Sequence, residues 1–474
     1  KANLSISRLF VCPVGRFTRH TGDMEVNMEQ YGKRDKFANR AEIRSCAWYK
    51  HHGGGGMVNV AIIGYGVVGS GVAEVIRKNS ASISRRAGQD IAVKKILDVR
   101  DFPESPDREL VTKDAGDIFG DDSIRIDVET IGGVGAAQEF TRRAFLAGKH
   151  VVTSNKELVA SYGPELLKLA RECHVNYLFE GSVGGGIPII RPLGQCLAAN
   201  EINGITGILN GTTNYILTKM KRDGLSFEEA LKTAQQNGYA EADPSADIEG
   251  HDACRKIAIL SSIAYNEFVD YKNIQTEGIS NISPIDLEYA DAMNSVIKLI
   301  AASKKVGDKI FARVGPAIIS KSHPLANVED VFNAIIVKGD AIGDAMFYGR
   351  GAGKFPTASA VVADIIDIVR NPESGCGRNL WERKEHSNLP GAGESETRLF
   401  VRISARNKEE AGKFAEARFG KVEFVAINRP GARNEIAFLT QKDKEGKLRE
   451  KIESLKKGAG PAGCVLNVIR VEEE

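Results

Sequence analysis

The chain has 474 residues, 42% of them hydrophobic and 27% charged, with a formal net charge of +2. That length calls for two or three domains, and the composition is that of a soluble globular protein. Lys and Arg are spread along the chain rather than blocked, which removes the electrostatic case for a nucleic-acid partner. The seven cysteines form no CxxC pair and no disulfide framework, a pattern that points to a reducing cytoplasm.

Residues 1–56 show no sustained period and end in HHGGGG before Met57. They read as a disordered or non-native leader. Asp23, Glu25, Glu29 and Asp35 are more acid than a transit peptide usually carries. The most apolar window, VNVAIIGYGVVGSGVAEVI, is broken by glycines, so it reads as strand, turn and helix rather than a membrane span.

From Met57 to about Gly186, short apolar runs alternate with amphipathic stretches, which predicts βαβ units on a parallel sheet. Gly64, Gly66 and Gly69 stand in G-x-G-x-x-G spacing between an apolar strand and an apolar-faced helix. In that setting Gly64 permits the tight turn and Gly66 lets a pyrophosphate approach the backbone. Gly69 brings the helix close to the strand. The N–H groups that open the helix, at Val67 and Val68, face the phosphates. The second strand ends ILDVRD; Asp98 suits the ribose hydroxyl of NAD and Arg100 the 2′-phosphate of NADP, so both cofactors stay open. Residues 57–186 are therefore expected to form a Rossmann-type dinucleotide-binding domain.

Residues 187–344 read as an α+β domain, and 371–396 as a polar, turn-rich linker. Residues 397–474 read βαββαβ, a ferredoxin-like module. Within the second domain, Glu241, Asp243, Asp247, Glu249 and Asp252 crowd ahead of Lys256. On a helix over 250–265, Asp252 and Lys256 are i and i+4 and fall within the apolar stripe. An inward acid and lysine make either a structural ion pair or a site for an ammonium-bearing substrate. Joined to a nicotinamide cofactor, the second option is reduction of a carbonyl on an amino-acid side chain.

The segments SNKELVA, FEGSVGGGIPIIRPL, LNGTTNYIL, GYAEADPSADIEGHDACRKIAIL and GRGAGKFPTASAVVADI together resemble homoserine dehydrogenase, in order, from about Met57 to Arg370. The resemblance implies NAD(P)H-dependent reduction of L-aspartate 4-semialdehyde to L-homoserine, in threonine and methionine synthesis. It implies that residues 187–344 are a catalytic and dimerisation domain, and that residues 345–370 return to complete the cofactor domain. Lys256 is similar to the family's proton-transferring lysine and Lys156 to a second lysine near the nicotinamide. Glu241, Asp247 and Asp252 match substrate-binding acids. Cofactor contacts are implied at Gly64, Gly66, Val67, Val68, Gly69, Arg100, Gly132, Ser154, Lys156 and Gly353. Backbone oxygens of Glu180, Val183, Gly185 and Ile187 match a site for a monovalent cation, sodium.

LNGTTNYIL reads as a helix entry capped by Thr212 or Thr213, and Pro356 as a first-turn residue beside Lys354 at the cofactor. A homodimer or homotetramer is implied. The tail resembles an ACT module, with L-threonine as the implied effector; the usual Pro-Gly before its first helix is replaced by NKEEAG. Two other readings stay open. One is a semialdehyde dehydrogenase that attacks through a thiol, although no cysteine stands in a recognisable activating context. The other is an effector-binding protein that kept the fold without the chemistry.

Overall fold

The computed structural model describes residues 56–373, 381–384, 389–428, 434–457 and 462–472. The leader, apart from Gly56, lies outside the described residues. The first sheet has six strands: β1 (Val58–Ile63), β2 (Ile91–Leu97), β3 (Val111–Thr112), β4 (Ile124–Glu129), β5 (His150–Thr153) and β6 (Tyr177–Leu178). They lie in the order β3-β2-β1-β4-β5-β6, every pair parallel. A parallel sheet is covered on both faces, so its strands must be apolar almost throughout. In β1 only Asn59 escapes burial. Helix α1 (Val67–Lys78) covers one face, while α2 (Gly135–Leu146) and α3 (Lys156–Glu172) join the core on the other.

The chain then builds a mostly antiparallel layer from β7 (Ile202–Ile208), β8 (Gln275–Thr276), β9 (Ser295–Val306), β10 (Lys309–Ser320), β11 (Phe332–Gly339) and β12 (Gly343–Arg350). Helices α4 (Gly211–Asp223) and α5 (His251–Tyr265) pack on it. Apolar residues of α5, including Ile257 and Leu260, share one core with Ile297, Leu299 and Val314 of the strands. After β12, helix α6 (Lys354–Arg370) crosses back to the first sheet. There Ala358, Val361 and Ile365 pack with Val72 and Ile76 of α1.

Part of the stretch read as a linker is buried. Trp381 is 2% exposed and its ring lies 5.6 Å from that of Phe179. Phe268 N–H donates to the Glu382 carbonyl at 3.0 Å. Residues 374–380 and 385–388 of that stretch lie outside the described residues.

The C-terminal elements run β13 (Glu396–Ala405), α7 (Lys408–Phe419), β14 (Glu423–Val425), β15 (Glu435–Leu439), β16 (Asp443–Lys444), α8 (Glu445–Lys457) and β17 (Ala462–Val471). This is the βαββαβ order with the two-residue β16 added. Its sheet does not stand apart. β17 pairs in parallel with β10 through Ala317 and Arg470, and Ile318 and Val471, so an 11-stranded sheet runs unbroken from β12 to β14.

Buried charge crosses that seam. Arg402 of β13 is 7% exposed and bonds Asp286, which heads the helix Pro284–Ala292 of the middle domain. It also lies 3.3 Å from Glu435 of β15. Removing one member of a buried ion pair leaves the other uncompensated and typically costs about 3–5 kcal/mol. Arg402→Met is therefore expected to lower unfolding free energy by about that amount in a denaturant titration. A loss below about 1 kcal/mol, the range of surface pairs, would mean the seam does not depend on this cation.

Candidate active site

The glycine fingerprint has the geometry that its spacing predicts. Gly64 has φ +96°, and a Cβ there would lie 2.9 Å from the Ile131 backbone. A Cβ on Gly69 would lie 2.0 Å from the Gly64 carbonyl oxygen, which is the close approach of α1 to the end of β1. A Cβ on Gly66 would meet nothing within 4 Å. The middle glycine thus faces open space at the head of α1, where the N–H dipoles converge. Val67 is 67% exposed beside it and Val68 is half-buried.

At the end of β2, Asp98 is already engaged. It accepts from Tyr65 N–H at 2.7 Å, and from the Arg100 backbone N–H and Nε, each at 3.0 Å. Arg100 Nη2 adds a bond of 2.9 Å. These bonds, the Arg100 side chain first, lower the Asp98 carboxyl to about 2. Arg100 is largely exposed and stacks over Phe102, 5.1 Å from the ring centre.

The turns after β4 and β5 lie beside the glycine loop because β1, β4 and β5 are consecutive in the sheet. Gly132, exposed at φ +84°, follows Glu129, whose buried carboxylate takes Ile131 N–H at 2.8 Å and Thr153 Oγ1–H at 2.6 Å. Asn155 caps α3 and donates to the Gly133 carbonyl at 2.6 Å, tying the two turns together. Ser154 and Lys156 sit on this turn. Gly353, with φ +119°, opens α6.

Lys354, next to Gly353, is paired in this structure: its Nζ donates to the Glu74 carboxylate of α1 at 2.8 Å, an interhelical ion pair with both side chains partly exposed.

Acids of the middle domain converge with one lysine from each domain. Asp252, in the first turn of α5, is 4% exposed. Its Oδ2 accepts from Lys256 Nζ at 2.8 Å and from Asn210 Nδ2 at 2.9 Å. Its Oδ1 lies 3.0 Å from Lys156 Nζ, which reaches in from α3. Burial opposes the charge on Asp252, but Lys256 and Lys156, with the Asn210 bond, hold its carboxyl well below the usual range. The same attraction to Asp252 raises Lys156 above an ordinary lysine.

Lys256 is 7% exposed and gives a second bond to the Leu209 carbonyl at 2.8 Å. An ammonium has three donors, so one N–H is left beyond these two bonds. Asp247 accepts from Asn210 Nδ2 at 2.7 Å, and burial followed by the neighbouring Asp252 charge raises its carboxyl. Glu241 lies exposed on the stretch that leads into Asp247, its carbonyl bonded by Gln235 Nε2 at 3.1 Å.

Asn210 is the partner that the sequence reading missed. It, not Thr212 or Thr213, caps α4, accepting Thr213 N–H at 2.9 Å. Thr212 Oγ1 instead bonds the Tyr239 carbonyl at 2.7 Å. An Asn directly before Gly211 was the available cap signal; its second task, bridging Asp247 and Asp252, had none.

The loop carrying Glu180, Val183, Gly185 and Ile187 is buried where the two domains meet. The Glu180 side chain accepts from the N–H groups of Ile189, Ile190 and Arg191 at 2.6–2.8 Å. Gly186 N–H donates to the Arg350 carbonyl at 3.0 Å, joining this loop to the turn before α6. Among the described residues, no group of three or more His, Cys, Asp or Glu side chains is arranged to hold a metal. Nor is any described helix long and apolar enough to cross a membrane. Burial pushes the Cys173 and Cys254 thiols up, away from the thiolate that a thiol mechanism needs.

Comparison with known proteins accords with this geometry. A family model described as "Homoserine dehydrogenase, NAD binding domain" matches residues 64–180, and one described as "Homoserine dehydrogenase" matches 188–366. The homoserine dehydrogenase of Bacillus subtilis (strain 168) is 38% identical over 364 residues, 76% of this chain and 83% of that one. That of Synechocystis sp. is 46% identical over 319 residues, 66% of this chain and 73% of its own. The chain belongs to the homoserine dehydrogenase family. It is an oxidoreductase that uses a nicotinamide cofactor.

Solved homoserine dehydrogenases share the fold. The crystal structure from Thiobacillus denitrificans superposes with a TM-score of 0.82 at 35% identity, covering 89% of this chain and 99% of that one. A hyperthermophilic archaeal homoserine dehydrogenase, solved in complex with NADPH, superposes with a TM-score of 0.56 at 31% identity. It covers 66% of this chain and 97% of its own.

The fingerprint glycines predict opposite phenotypes. Gly66→Ala fills open space, so its melting temperature should stay near that of the parent while the cofactor KM rises about tenfold or more, the loss of roughly one good hydrogen bond to a charged group. Gly69→Ala drives a methyl into the Gly64 carbonyl and should lower the melting temperature itself. Thermal unfolding beside cofactor titration separates the two; equal loss of stability in both would remove Gly66 from the cofactor site.

Proposed function

We propose that Lys256, Lys156, Asp252, Asp247 and Glu241 form the substrate site for reduction of L-aspartate 4-semialdehyde to L-homoserine. The observation that carries this reading is the single buried carboxylate of Asp252, on which lysines from both domains meet. The glycine loop with Val67 and Val68, and the turns at Gly132, Ser154 and Gly353, would hold the dinucleotide; open space at Gly66 supports the fit. When bound, the reduced nicotinamide supplies hydride to the aldehyde carbon.

The chain's own residues manage charge. The remaining N–H of Lys256 is directed by Asp252 and the Leu209 carbonyl, and it gives a proton to the aldehyde oxygen as negative charge develops there. Lys156, held charged by Asp252, adds a second positive group at that oxygen. Asp247 and the exposed Glu241 present carboxylates to the substrate ammonium group. Lys256→Ala should lower kcat about 10²–10⁴-fold in a semialdehyde assay while cofactor binding by fluorescence is retained, the usual range for a general acid. A kcat within twofold of the parent would remove Lys256 from the proton step.

For the cofactor, the geometry supports NADPH. Asp98 is spent on Tyr65 and Arg100, so it is a poor free acceptor for a ribose hydroxyl, and the exposed Arg100 guanidinium suits a phosphate. Arg100→Ala should therefore raise the KM for NADPH much more than that for NADH. Equal changes would make Arg100 a partner of Asp98 only.

Backbone oxygens of Glu180, Val183, Gly185 and Ile187 are the proposed donors to a sodium ion, an oxygen-only set suited to a hard cation. The tail is proposed to be an ACT-like unit with L-threonine as effector, in a cytoplasmic enzyme. A cleft of about 500 Å³ between α7 and strands β14 and β15 supports a ligand site there. Asn407 already takes the N–H groups of Glu409 and Glu410 at the head of α7. A threonine carboxylate would need such donors, which favours weak inhibition.

A further inference from the structure

The C-terminal module reaches the substrate acids through one carboxylate, Glu277, which follows β8. Strands β8 and β17 pair with successive parts of the same edge of β10, and Glu277 lies between them with its N–H on the Val314 carbonyl at 2.9 Å. Arg470 of β17, 2% exposed, grips Glu277 as a fork: Nη1 to Oε2 at 2.8 Å and Nη2 to Oε1 at 3.0 Å. The same guanidinium binds Glu445 of α8 through Nε at 3.0 Å and Nη2 at 2.6 Å. Arg449 of α8 joins Glu445 at 2.8 Å and also bonds Glu277. Bidentate pairing fixes direction as well as distance, so Glu277 is held in one orientation.

On its other side, the Glu277 segment is wedged against the loop that leads into α5. Ile279 N–H donates to the Ile248 carbonyl at 2.9 Å, and Ser280 Oγ–H to Glu249 at 2.6 Å. A Cβ on Gly278 would lie 2.4 Å from the Ile248 oxygen, and one on Gly250 would lie 3.3 Å from the Glu277 oxygen. At Gly278 the two backbones therefore touch, and Gly250 is closed in by the Thr276 and Val314 side chains as well as by the Glu277 oxygen, so the loop has little room to shift. The loop so clamped carries Asp247, and Gly250 opens the helix whose first turn carries Asp252.

We infer that Glu277 is a positioning residue through which Arg470 and Arg449 of the C-terminal module set the placement of Asp247 and Asp252 for the amino-acid substrate. The inference rests on the substrate-site reading given above. It makes the module part of the working geometry of the catalytic domain, whether or not any effector is bound.

The test uses the full-length enzyme, with melting temperatures measured so that every assay is run on folded protein. Glu277→Gln keeps the shape and removes the charge. It should raise the semialdehyde KM about fivefold or more, the lower end of ordinary coupling between sites, and leave the cofactor KM unchanged. Arg449→Met, on a half-exposed side chain, should act in the same direction more weakly. The double variant should be no worse than Glu277→Gln alone, because both act through one carboxylate.

A merely structural role would lower the melting temperature without splitting the two KM values. Semialdehyde KM values within twofold of the parent in both folded variants, or an equal rise for the cofactor, overturn the inference. Should Glu277→Gln fail to fold, Arg449→Met decides alone. Asp247→Asn, run alongside, separates the two levels. If it raises the substrate KM and Glu277→Gln does not, the coupling is wrong and the site stands. If Asp247→Asn itself leaves the substrate KM unchanged, the site reading fails and the coupling falls with it.

Discussion

The architecture answers to one constraint: a carboxylate, Asp252, is charged and almost fully out of water. Such a group is tolerated only when paired and hydrogen-bonded on each oxygen. No single element can do this. Lys256 comes from the same helix, Asn210 from the turn before α4, and Lys156 from α3 beyond the other sheet. Meeting the needs of one side chain therefore fixes how the helix, the turn and the cofactor domain sit against one another. The two domains meet at Asp252 because its charge demands partners from both.

Around that centre the chain trades side chains for close backbone contact. The helix of the glycine loop rests on the turn beneath it, and the buried loop at Gly185 is bonded to the turn before α6. Rigid backbone of this kind keeps reacting groups in register better than surface loops do, and small displacements are costly for a reaction that needs aligned groups. The charged groups are set into that frame by capping residues. Asn155 and Asn210 each close a helix and also make a cross-link, so the same amide orders local structure and positions a neighbour.

What could be read from the sequence was what depends on near neighbours. The roles of Gly64, Gly66 and Gly69 follow from a single turn, and the inward pairing of Asp252 with Lys256 follows from helical spacing. The βαββαβ order of the tail follows from alternating periods. What escaped depends on distant partners. Nothing near Trp381 signals that a polar stretch buries an indole against Phe179. LNGTTNYIL offers Asn210 as a cap, but nothing in it signals the two further bonds to Asp247 and Asp252. Nothing around Lys354 signals its partner Glu74, which lies 280 residues away. The union of the two sheets was equally hidden, since strand pairing between β10 and β17 has no local signature.

That union has a consequence for how the molecule comes into being. The ion pair between Glu277 and Arg470 spans 193 residues, and closing contacts of such range is entropically slow. During synthesis β10 emerges long before β17, with an open, hydrogen-bond-hungry edge. The cofactor domain is in the same position, since its glycine-loop helix is covered only when α6 arrives. The six-stranded sheet has all its strands by Leu178 but waits for α6 to cover it, and the 11-stranded sheet is complete only when β17 has left the ribosome. The order of synthesis makes closure late and stepwise, α6 before β17, and an edge of β10 left open in the interval is the kind of surface on which nascent chains mispair.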